Sequence, residues 1–395
     1  MQLSVVLSDF TPLHLSREIP QKKLVDQIAN VFSLVQCAIK QPQSQEDANR
    51  ILAETRGMVE HYGVSPGYIK QRELGAMANV DISGSPNDIY PTVIPQPLQQ
   101  PHGLPLDQRM EKFRDAGQVL LEAHYADCQQ APSDIVHVTC TGYVSPSPVQ
   151  QFVAANGWHD TLVTHSYDMG CCGAFSGVRS AHGLLSSSFA IGQPKSRIDI
   201  FHTEYSSLHI DFHELLPHKI IGTTLFGDGF IHYCAYSQQS FDSETKNGLK
   251  ILSIDDQMLP GSEQQVFWDV SQHHFDLFIA PTIPDFTTKY SKGFVERLAT
   301  LAGYRLEDIK DDLIFAVHAG GPKILDQTEQ VFQISREQLR YSWDVLNNRG
   351  NIVSATVPYI WHAVVNDDTV PKGTLVASMA FGPGLTACGM LMEKV

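Results

Sequence analysis

The hydrophobic pattern predicts a chain in which strands and helices alternate. Apolar residues three and four positions apart predict helices, and short apolar runs bounded by glycine, proline or polar residues predict buried strands. The predicted helices in the first part of the chain are 21–40, 48–63, 109–128, 145–157 and 174–187. The predicted strands in the same part are 134–142, 161–170, 196–207 and 229–237. This alternation favours an α/β fold over an α+β fold.

A polar stretch near residue 246, SETKNG, separates this first set of elements from a second. The second set again alternates strands and helices, in the segments 249–260, 273–303, 312–330, 351–365 and 374–394. We therefore divide the chain into 1–246 and 247–395. The proline-rich connection 88–108 is predicted to be extended and exposed, because the residue before each proline is pushed out of helical conformation.

Composition excludes several classes of protein. The chain has 395 residues, of which 43% are hydrophobic, so it can form a large core. Its net charge of −15 argues against nucleic acid or an anionic membrane as the main partner. The first 15 residues are expected to form a strand and not a secretory signal. The seven cysteines are odd in number and scattered, which predicts reduced thiols and a cytoplasmic protein.

A pair of cysteines offers the first candidate for chemistry. Cys171 and Cys172 lie between Gly170 and a predicted helix. A nucleophilic cysteine reacts as the thiolate, and the free N–H groups at a helix N-terminus stabilise that anion. Cys172 is rotated by about 100° around the helix axis relative to Cys171. The spacing therefore favours Cys171 as the nucleophile, although a buried, inert cysteine is the commoner case.

A histidine and an asparagine lie at similar edges of predicted elements. His318 ends an apolar strand and precedes a glycine pair, and Asn351 follows a glycine and precedes another apolar run. A cysteine nucleophile needs a group that holds or moves its proton, and His318 is a candidate for that role. For Asn351 alone, an ordinary turn residue is the simpler interpretation.

Five short motifs together resemble the type III polyketide synthases, the chalcone-synthase-like branch of the thiolase superfamily. They occur in the family's order and spread over more than half of the chain. The motifs are GCCGAFSGVRSAH at 170–182, LFGDG at 225–229, HAGGPKILD at 318–326, GNIVSAT at 350–356 and FGPGLT at 381–386. The resemblance implies a five-layered αβαβα thiolase fold made of two similar halves. The half 1–246 would carry the nucleophile and the half 247–395 the other catalytic residues.

The resemblance implies a catalytic set of Cys171, His318 and Asn351. Cys171 would carry the growing acyl chain as a thioester, and His318 would keep it as a thiolate by ion pairing. His318 and Asn351 together would donate hydrogen bonds to the thioester oxygen of malonyl-CoA as decarboxylation turns it into an enolate. Acyl-CoA and malonyl-CoA would be substrates, and the reaction would need no metal and no other cofactor.

The resemblance also suggests which residues surround the substrate. Phe226 and Phe275 would separate the CoA tunnel from the reaction cavity. Val353 stands where plant members have a small hydroxyl residue, and His209 stands where they often have threonine. The other residues that the resemblance places at the cavity are Ser145, Glu204, Gly382, Pro383 and Gly384. The segment CTGYVSPSP at 140–148 corresponds to the plant segment that sends a methionine into the partner subunit's cavity, but it is shorter, and Ser145 lies nearest the methionine position.

Coenzyme A recognition carries over less completely. The basic cluster that grips CoA phosphates in plant members is reduced here to Arg56, Lys70 and Arg72. Gly321 and Lys323 are further candidates at the tunnel mouth. An acyl carrier protein is an alternative donor of the starter, and it would need a basic patch on this acidic surface. The family also implies a homodimer.

Four other interpretations stay open at this point. A papain-like hydrolase also uses Cys, His and Asn in this order, but its local signature is absent. A metal enzyme could use His209, His213 and Glu214, although no HExxH motif is present. A catalytically silent protein on the same fold conflicts with the intact Cys/His/Asn set. A single-condensation β-ketoacyl synthase III-like enzyme cannot be separated by motifs from an iterative one.

Overall fold

The computed structural model describes residues 4–77 and 92–395. These residues form thirteen strands and eleven α-helices, joined by turns and six short 3₁₀ segments. The strands are β1 Val5–Leu13, β2 Ile19–Pro20, β3 Gln71–Arg72, β4 Asp134–Thr139, β5 Leu162–Tyr167, β6 Arg197–Glu204, β7 Gly229–Ser237, β8 Leu249–Met258, β9 Val266–Val270, β10 Phe275–Ile279, β11 Ile314–Val317, β12 Leu375–Gly382 and β13 Thr386–Lys394. The helices are α1 Gln21–Lys40, α2 Gln45–Tyr62, α3 Leu106–Tyr125, α4 Pro148–Ala155, α5 Gly173–Ala190, α6 Pro217–Leu225, α7 Ile283–Leu301, α8 Leu306–Ile309, α9 Pro322–Phe332, α10 Arg340–Arg349 and α11 Thr356–Val365.

Nine of the strands form one mixed sheet that contains the same pattern twice. Their order is β11-β12-β13-β8-β1-β7-β6-β4-β5. In the first pattern β4 and β6 are parallel, while β7 pairs antiparallel with β6 and β1. In the second, β11 and β12 are parallel, while β13 pairs antiparallel with β12 and β8. The predicted α/β fold with two similar halves is therefore confirmed.

The two patterns meet at a short antiparallel contact between β1 and β8. Val6 pairs with Lys250 and Leu7 with Leu249, and within the described residues these are the two pairs that join β1 to β8. Hydrogen bonding along the seam is thus limited to a few residues. Packing of side chains must hold the rest of the two halves together.

Two central helices supply that packing. Helix α5 lies against β4, β6 and β7 and also reaches β13, and α11 lies against β11 and also reaches β1 and β7. The ring of Phe175 on α5 meets Trp361 on α11 edge to face at a centroid distance of 5.7 Å. Both side chains are fully buried in one hydrophobic cluster that includes strands of both halves. The two helices form a shared buried layer, which fixes the turns at their N-terminal ends.

The structure departs from the predicted elements at the proline-rich connection and at strand β9, and helices α6 and α10 were also not predicted. The proline-rich connection is not uniformly exposed: Val93 and Ile94 are buried, and Val93 accepts a hydrogen bond from Leu104 N–H. Residues 88–91 of that prediction lie outside the described residues. The pattern did not predict strand β9, which pairs with β10 in a two-stranded hairpin. Within the described part of the chain, no helix combines the length and the apolar character needed to cross a membrane.

Candidate active site

One large cavity collects the three residues that the sequence singled out. It has a volume of about 1100 Å³ and a mostly apolar lining. Cys171, His318 and Asn351 all line it. They come from the turn before α5, the residue after β11 and the second residue after α10. The fold therefore brings together a thiol, an imidazole and a carboxamide that are far apart in the chain.

The nucleophile turn separates the two neighbouring thiols. Residues Gly170–Cys172 form a 3₁₀ turn, so Cys171 precedes α5 and is not the first residue of that helix. Gly170 has φ +50°, and a Cβ there would lie 2.7 Å from Pro383 Cδ, so the turn requires glycine. Cys172 is fully buried, and its Sγ donates to the carbonyl of Thr386 over 3.2 Å. Of the pair, only Cys171 faces the cavity.

His318 presents an unpaired imidazole to the cavity. Its backbone is fixed by a hydrogen bond from its N–H to the Met379 carbonyl, 2.9 Å long. Within the described residues, neither ring nitrogen has a hydrogen-bond partner. Burial lowers the pKa of His318 to about 3, so the ring is neutral at physiological pH. A neutral imidazole can accept a proton at one nitrogen and donate one at the other.

The thiol of Cys171 is also held in its neutral form. Burial raises its pKa to about 12, and the negative charge of Glu204 acts in the same direction. A hydrogen bond from the Asn351 side chain opposes both effects. Burial therefore favours the neutral forms of Cys171 and His318 and opposes the ion pair that the resemblance implies.

Asn351 is oriented by its own backbone neighbours. Its Oδ1 accepts a hydrogen bond from the Val353 N–H over 3.0 Å, which leaves the NH₂ group free to donate to Cys171. The Asn351 N–H donates to Leu225, and its carbonyl accepts from Gly227, so Asn351 is paired with the strand-like segment around Phe226. The GNIVSAT and LFGDG motifs are thus one structural unit.

Gly350 allows Asn351 to reach this position, and an alanine there is expected to be costly. Gly350 has φ +71° and ψ −154°, a conformation that is essentially restricted to glycine. A Cβ would lie 2.4 Å from the Leu225 carbonyl oxygen and 2.8 Å from Arg72 Cδ. We expect Gly350→Ala to lower the free energy of unfolding by roughly 2–3 kcal/mol, measured by urea denaturation.

A matched control for that substitution is Gly303→Ala. Gly303 also has a positive φ, +85°, but a Cβ there would meet no atom within 4 Å. It therefore reports backbone strain without a clash. If Gly303→Ala destabilises the protein as much as Gly350→Ala does, the contact with Leu225 and Arg72 has no separate effect and the explanation given for Gly350 is wrong.

Most of the predicted cavity residues line the same cavity. Besides the three catalytic candidates, the lining contains Phe226, Phe275, Val353, Gly382, Pro383, Gly384, Gly321 and Lys323. Val353 adopts φ +53°, which is strained for a β-branched residue, and its buried side chain makes that wall apolar. Lys323 is exposed, at the N-terminal end of α9.

Four of the predicted substrate and CoA residues do not line this cavity, and neither do Lys70 and Arg72 of the basic cluster. Glu204 is fully buried behind Cys171 and accepts hydrogen bonds from Thr141 Oγ1 over 2.8 Å and from Ser354. His209 lies behind Phe275, on a separate cavity of about 60 Å³. Ser145 is exposed on the loop before α4, and Arg56 is exposed on α2, where it donates to Asn30. Burial in the first two cases, and position on the surface in the other two, keep these side chains away from the cavity.

Glu204 nevertheless acts on the nucleophile through its charge, which leads to a pH prediction. Burial raises the pKa of Glu204 to about 7, and the charge of the ionised form disfavours the Cys171 thiolate. Glu204→Gln removes that charge, so we expect the pKa of Cys171 to fall, by roughly one unit or more. The rate of iodoacetamide alkylation at Cys171, mapped by peptide mass, would then rise at lower pH than in the parent protein.

Glu263→Gln is the control for this prediction. Glu263 also lines the cavity and its substitution changes the net charge equally, but it is not among the groups that shift Cys171. Equal displacement of the alkylation profile in both variants would contradict a specific effect of Glu204.

Arg72 is not a CoA ligand in this structure. Its guanidinium is fully buried, and burial lowers its pKa to about 9. It donates to the side chain of Gln21 over 2.8 Å and to the carbonyls of Thr223 and Phe226. The sequence shows only a basic residue in a basic segment, and its burial becomes visible only in the fold.

Several residues at the cavity were missed from the sequence. Cys140, Tyr143 and Asp168 line it near Cys171, and Trp268 lines it on the β9–β10 hairpin. Cys140 and Tyr143 lie next to Thr141, just after β4, in the segment CTGYVSPSP that the resemblance places at the cavity. Because Cys140 and Tyr143 belong to this segment, the sequence contained a signal that could have placed them at the cavity. No comparable signal exists for Trp268, because β9 itself was not predicted.

The described residues contain one close group of three candidate metal ligands, Asp199, His232 and Cys234. Asp199 already accepts hydrogen bonds from Arg197 Nε over 2.8 Å and from Tyr125 over 3.0 Å. The carboxylate of this group is therefore already paired with the guanidinium of Arg197, so the group is a buried hydrogen-bond network of the protein. The alternative site of His209, His213 and Glu214 does not converge, because His209 stacks on Phe275 and His213 on His102.

Comparisons with known proteins agree with this geometry. The family model "Chalcone and stilbene synthases, C-terminal domain" matches residues 250–395. "Probable polyketide synthase 1" of Dictyostelium discoideum is 26% identical over 384 residues, 95% of this chain and 11% of that protein. "1,3,6,8-tetrahydroxynaphthalene synthase" of Streptomyces griseus is 26% identical over 266 residues, 66% of this chain and 68% of that protein. This chain thus spans about a tenth of the Dictyostelium relative.

Solved structures match over the whole chain. The C-terminal type III polyketide synthase domain of Steely1 from Dictyostelium superposes with a TM-score of 0.77 at 21% identity, covering 99% of each chain. PKS-I from the brown alga Ectocarpus siliculosus superposes with a TM-score of 0.80 at 18% identity, covering 100% of this chain and 99% of that chain. These similarities show the fold. Together with the match of residues 250–395 to the chalcone and stilbene synthase C-terminal domain and with the sequence relatives, they show that this chain is similar to type III polyketide synthases in sequence and in fold.

Proposed function

We propose that this protein is an acyltransferase that loads an acyl starter on Cys171 and extends it by decarboxylative Claisen condensation with malonyl-CoA. The observation that carries the proposal is the convergence of Cys171, His318 and Asn351 on one apolar cavity of about 1100 Å³. A thiol provides a covalent attachment point, and the other two groups can donate hydrogen bonds to a developing enolate. The expected product is a cyclised pyrone or resorcinol-type compound.

Loading begins with a thiol and a neutral imidazole, since burial favours both neutral forms. The Cys171 sulfur attacks the thioester carbonyl of the starter, and its proton passes to His318. The C–S bond to CoA then breaks, and CoA leaves as its thiol with that proton. In this step His318 thus transfers a proton, and the step does not require an ion pair between His318 and Cys171 beforehand.

Extension uses the same two donors on a second substrate. Malonyl-CoA loses CO₂, and the electron pair of the broken C–C bond forms the enolate of acetyl-CoA. The NH₂ group of Asn351 and an N–H of His318 stabilise the oxygen of that enolate. The enolate carbon attacks the Cys171 thioester, the thiolate leaves, and the lengthened chain remains on CoA until it returns to Cys171.

The size of the cavity supports repeated extension. Cavities for drug-sized ligands occupy about 300–1000 Å³, and this one reaches about 1100 Å³. Val353 and the altered segment around Ser145 argue against a plant-type chalcone product. A single-condensation enzyme joining two acyl chains would use the same three residues and becomes one outcome of the experiment below.

The donor of the starter is proposed to be acyl-CoA held partly by Lys323 and Gly321. Lys323 is the lysine at the cavity rim, where acidic Glu263 and Asp269 also lie. An acyl carrier protein remains an alternative donor. No metal and no cofactor beyond the CoA substrates is proposed for the reaction.

We also propose that the protein is a cytoplasmic homodimer. Each chain of the dimer would consist of two halves, 1–246 and 247–395. All seven cysteines are free, which fits a reducing compartment. Leu162 on the edge strand β5 is 59% exposed, and Tyr143 at the cavity is 70% exposed. These two side chains offer apolar surface against which a second copy of the chain could pack. The loop 238–248 between β7 and β8 is where the proposed halves divide.

Mass spectrometry of reaction products tests the proposed function. The purified protein is incubated with malonyl-CoA and a panel of acyl-CoA starters, from short to long chains. Products that gain two or more acetate units support iterative condensation. Products with one added unit indicate the single-condensation alternative. Absence of any carbon–carbon bond formation with every starter contradicts the proposal.

A further inference from the structure

We call Phe226 and Phe275 the gate phenylalanines. The main chain of each forms a hydrogen bond with a buried polar side chain. Phe226 is the residue after α6, and its carbonyl accepts a hydrogen bond from Arg72 Nη1. The same nitrogen donates to the Thr223 carbonyl over 3.0 Å, and Arg72 Nε donates to Gln21. Because Arg72 is fully buried, its loss would remove the donor to the Phe226 carbonyl from the interior of the protein.

His209 makes a corresponding contact with the other phenylalanine. Its Nδ1 accepts a hydrogen bond from the Phe275 N–H over 3.0 Å, and its Nε2 donates to the Thr141 carbonyl over 2.7 Å. The two rings stack at a centroid distance of 4.4 Å and an angle of 12°. These two bonds require the tautomer that carries its proton on Nε2. Burial lowers the pKa of His209 to about 3, so this tautomer is neutral across the working pH range.

We propose that Arg72 and His209 are positioning residues that fix the aperture between Phe226 and Phe275, and thereby set which acyl chains reach Cys171. The inference rests on the proposed function and on the role that the resemblance implies for these two phenylalanines, which is to separate the CoA tunnel from the reaction cavity; both line the large cavity. Arg72 and His209 do not line the large cavity, so they act on the substrate only through the two phenylalanines.

Each contact ties a gate residue to the catalytic region. Arg72 also covers Gly350, so it supports both Phe226 and the backbone that places Asn351. His209 holds Thr141, whose hydroxyl donates to Glu204 next to Cys171. We call the contacts of Arg72 with Phe226 and of His209 with Phe275 the two clamps. With both clamps in place, the backbone of the gate phenylalanines is fixed. Loss of either clamp leaves a main-chain group without its partner and allows the phenylalanine to move.

The aperture is measured with two thiol reagents that do not depend on catalysis. We compare alkylation of Cys171 by small iodoacetamide and by a bulky aryl maleimide, mapped by peptide mass, in Arg72→Met and His209→Ala. We expect the ratio of bulky to small reagent rates to rise by about threefold or more in each variant. With acyl-CoA starters, kcat/KM for long chains relative to short chains is expected to change by a similar factor.

Matched variants separate positioning from general destabilisation. His137→Gln alters another fully buried neutral histidine, and Lys394→Met removes another buried cation that donates to main-chain carbonyls; neither residue lines the cavity. Both controls are expected to leave the two ratios unchanged. His209→Asn keeps an acceptor near the Nδ1 position and is expected to restore the parent ratio in part. In the double variant His209→Ala/Phe275→Ala, the ratio is expected to equal that of Phe275→Ala, because the two residues act as one unit.

Two results distinguish the failure of this inference from failure of the proposed function. An unchanged or lower reagent ratio in both Arg72→Met and His209→Ala, or an equal rise in the controls, overturns the inference even if the protein makes polyketides. If no starter is condensed, the proposed function fails, while a raised reagent ratio still shows that the two clamps fix the opening to Cys171.

Discussion

Cys171→Ala is expected to abolish both acylation by a starter and condensation with malonyl-CoA. The reason is that the Cys171 thiol lines the cavity and takes a hydrogen bond from Asn351, and in the proposed function it provides the covalent attachment for the chain. We expect the rate of product formation to fall by roughly 10³-fold or more. Incubation with an acyl-CoA starter followed by peptide mass mapping measures the acylation step directly.

Cys172→Ala is the neighbouring control. The Cys172 side chain is buried against the Thr386 and Ala380 carbonyls, so its removal is expected to lower the free energy of unfolding by about 1 kcal/mol and to leave the thioester on Cys171. Cys140 also lines the cavity and has to be inspected in the same digest. An acyl group found on Cys172 or Cys140 alone would overturn the assignment of the nucleophile.

Asn351→Ala is expected to slow malonyl-CoA decarboxylation by about 10²-fold or more, the scale found when one oxyanion donor is lost. Its NH₂ group acts on charge that is absent from the ground state, so the effect appears in the rate of decarboxylation. Acylation of Cys171 is expected to be largely retained, because His318 can still accept the thiol proton. Release of labelled CO₂ and single-turnover acylation measure the two steps separately.

His318→Ala completes this test. Since His318 takes part in proton transfer and in enolate stabilisation, its loss is expected to impair both steps. Equal loss of starter acylation in Asn351→Ala and His318→Ala would contradict the division of roles. It would instead assign Asn351 to holding the turn in which its Oδ1 binds the Val353 N–H.

The sequence predicted the elements that deliver the catalytic residues, because those elements have strong local patterns. Helix α5 was predicted from its apolar periodicity, and β11 from the run that ends at His318. The 3₁₀ turn around Cys171 could not be predicted, since it depends on Gly170 packing against Pro383 from the far end of the chain. Strand β9 was also missed, because its residues are partly buried or exposed and lack a clean alternation.

Charge and burial are the part of the site that local patterns describe least well. Arg72 looked like a surface cation near a basic segment, and it proved to be a buried donor to main-chain carbonyls. The resemblance placed His209 in the cavity, and its ring instead lies behind Phe275. Both outcomes depend on which strands and turns pack above these residues. Only the long-range fold contains that information.

The narrow seam between β1 and β8 has a consequence for the order in which the molecule becomes active. During synthesis from the N-terminus, the thiol emerges well before the imidazole and the carboxamide, which lie beyond the seam. A partly made chain can therefore display Cys171 but has no donor for an enolate and no completed gate. The proposed condensation therefore requires β13 to pair with β8 and complete the second half of the sheet, because His318 and Asn351 belong to that half.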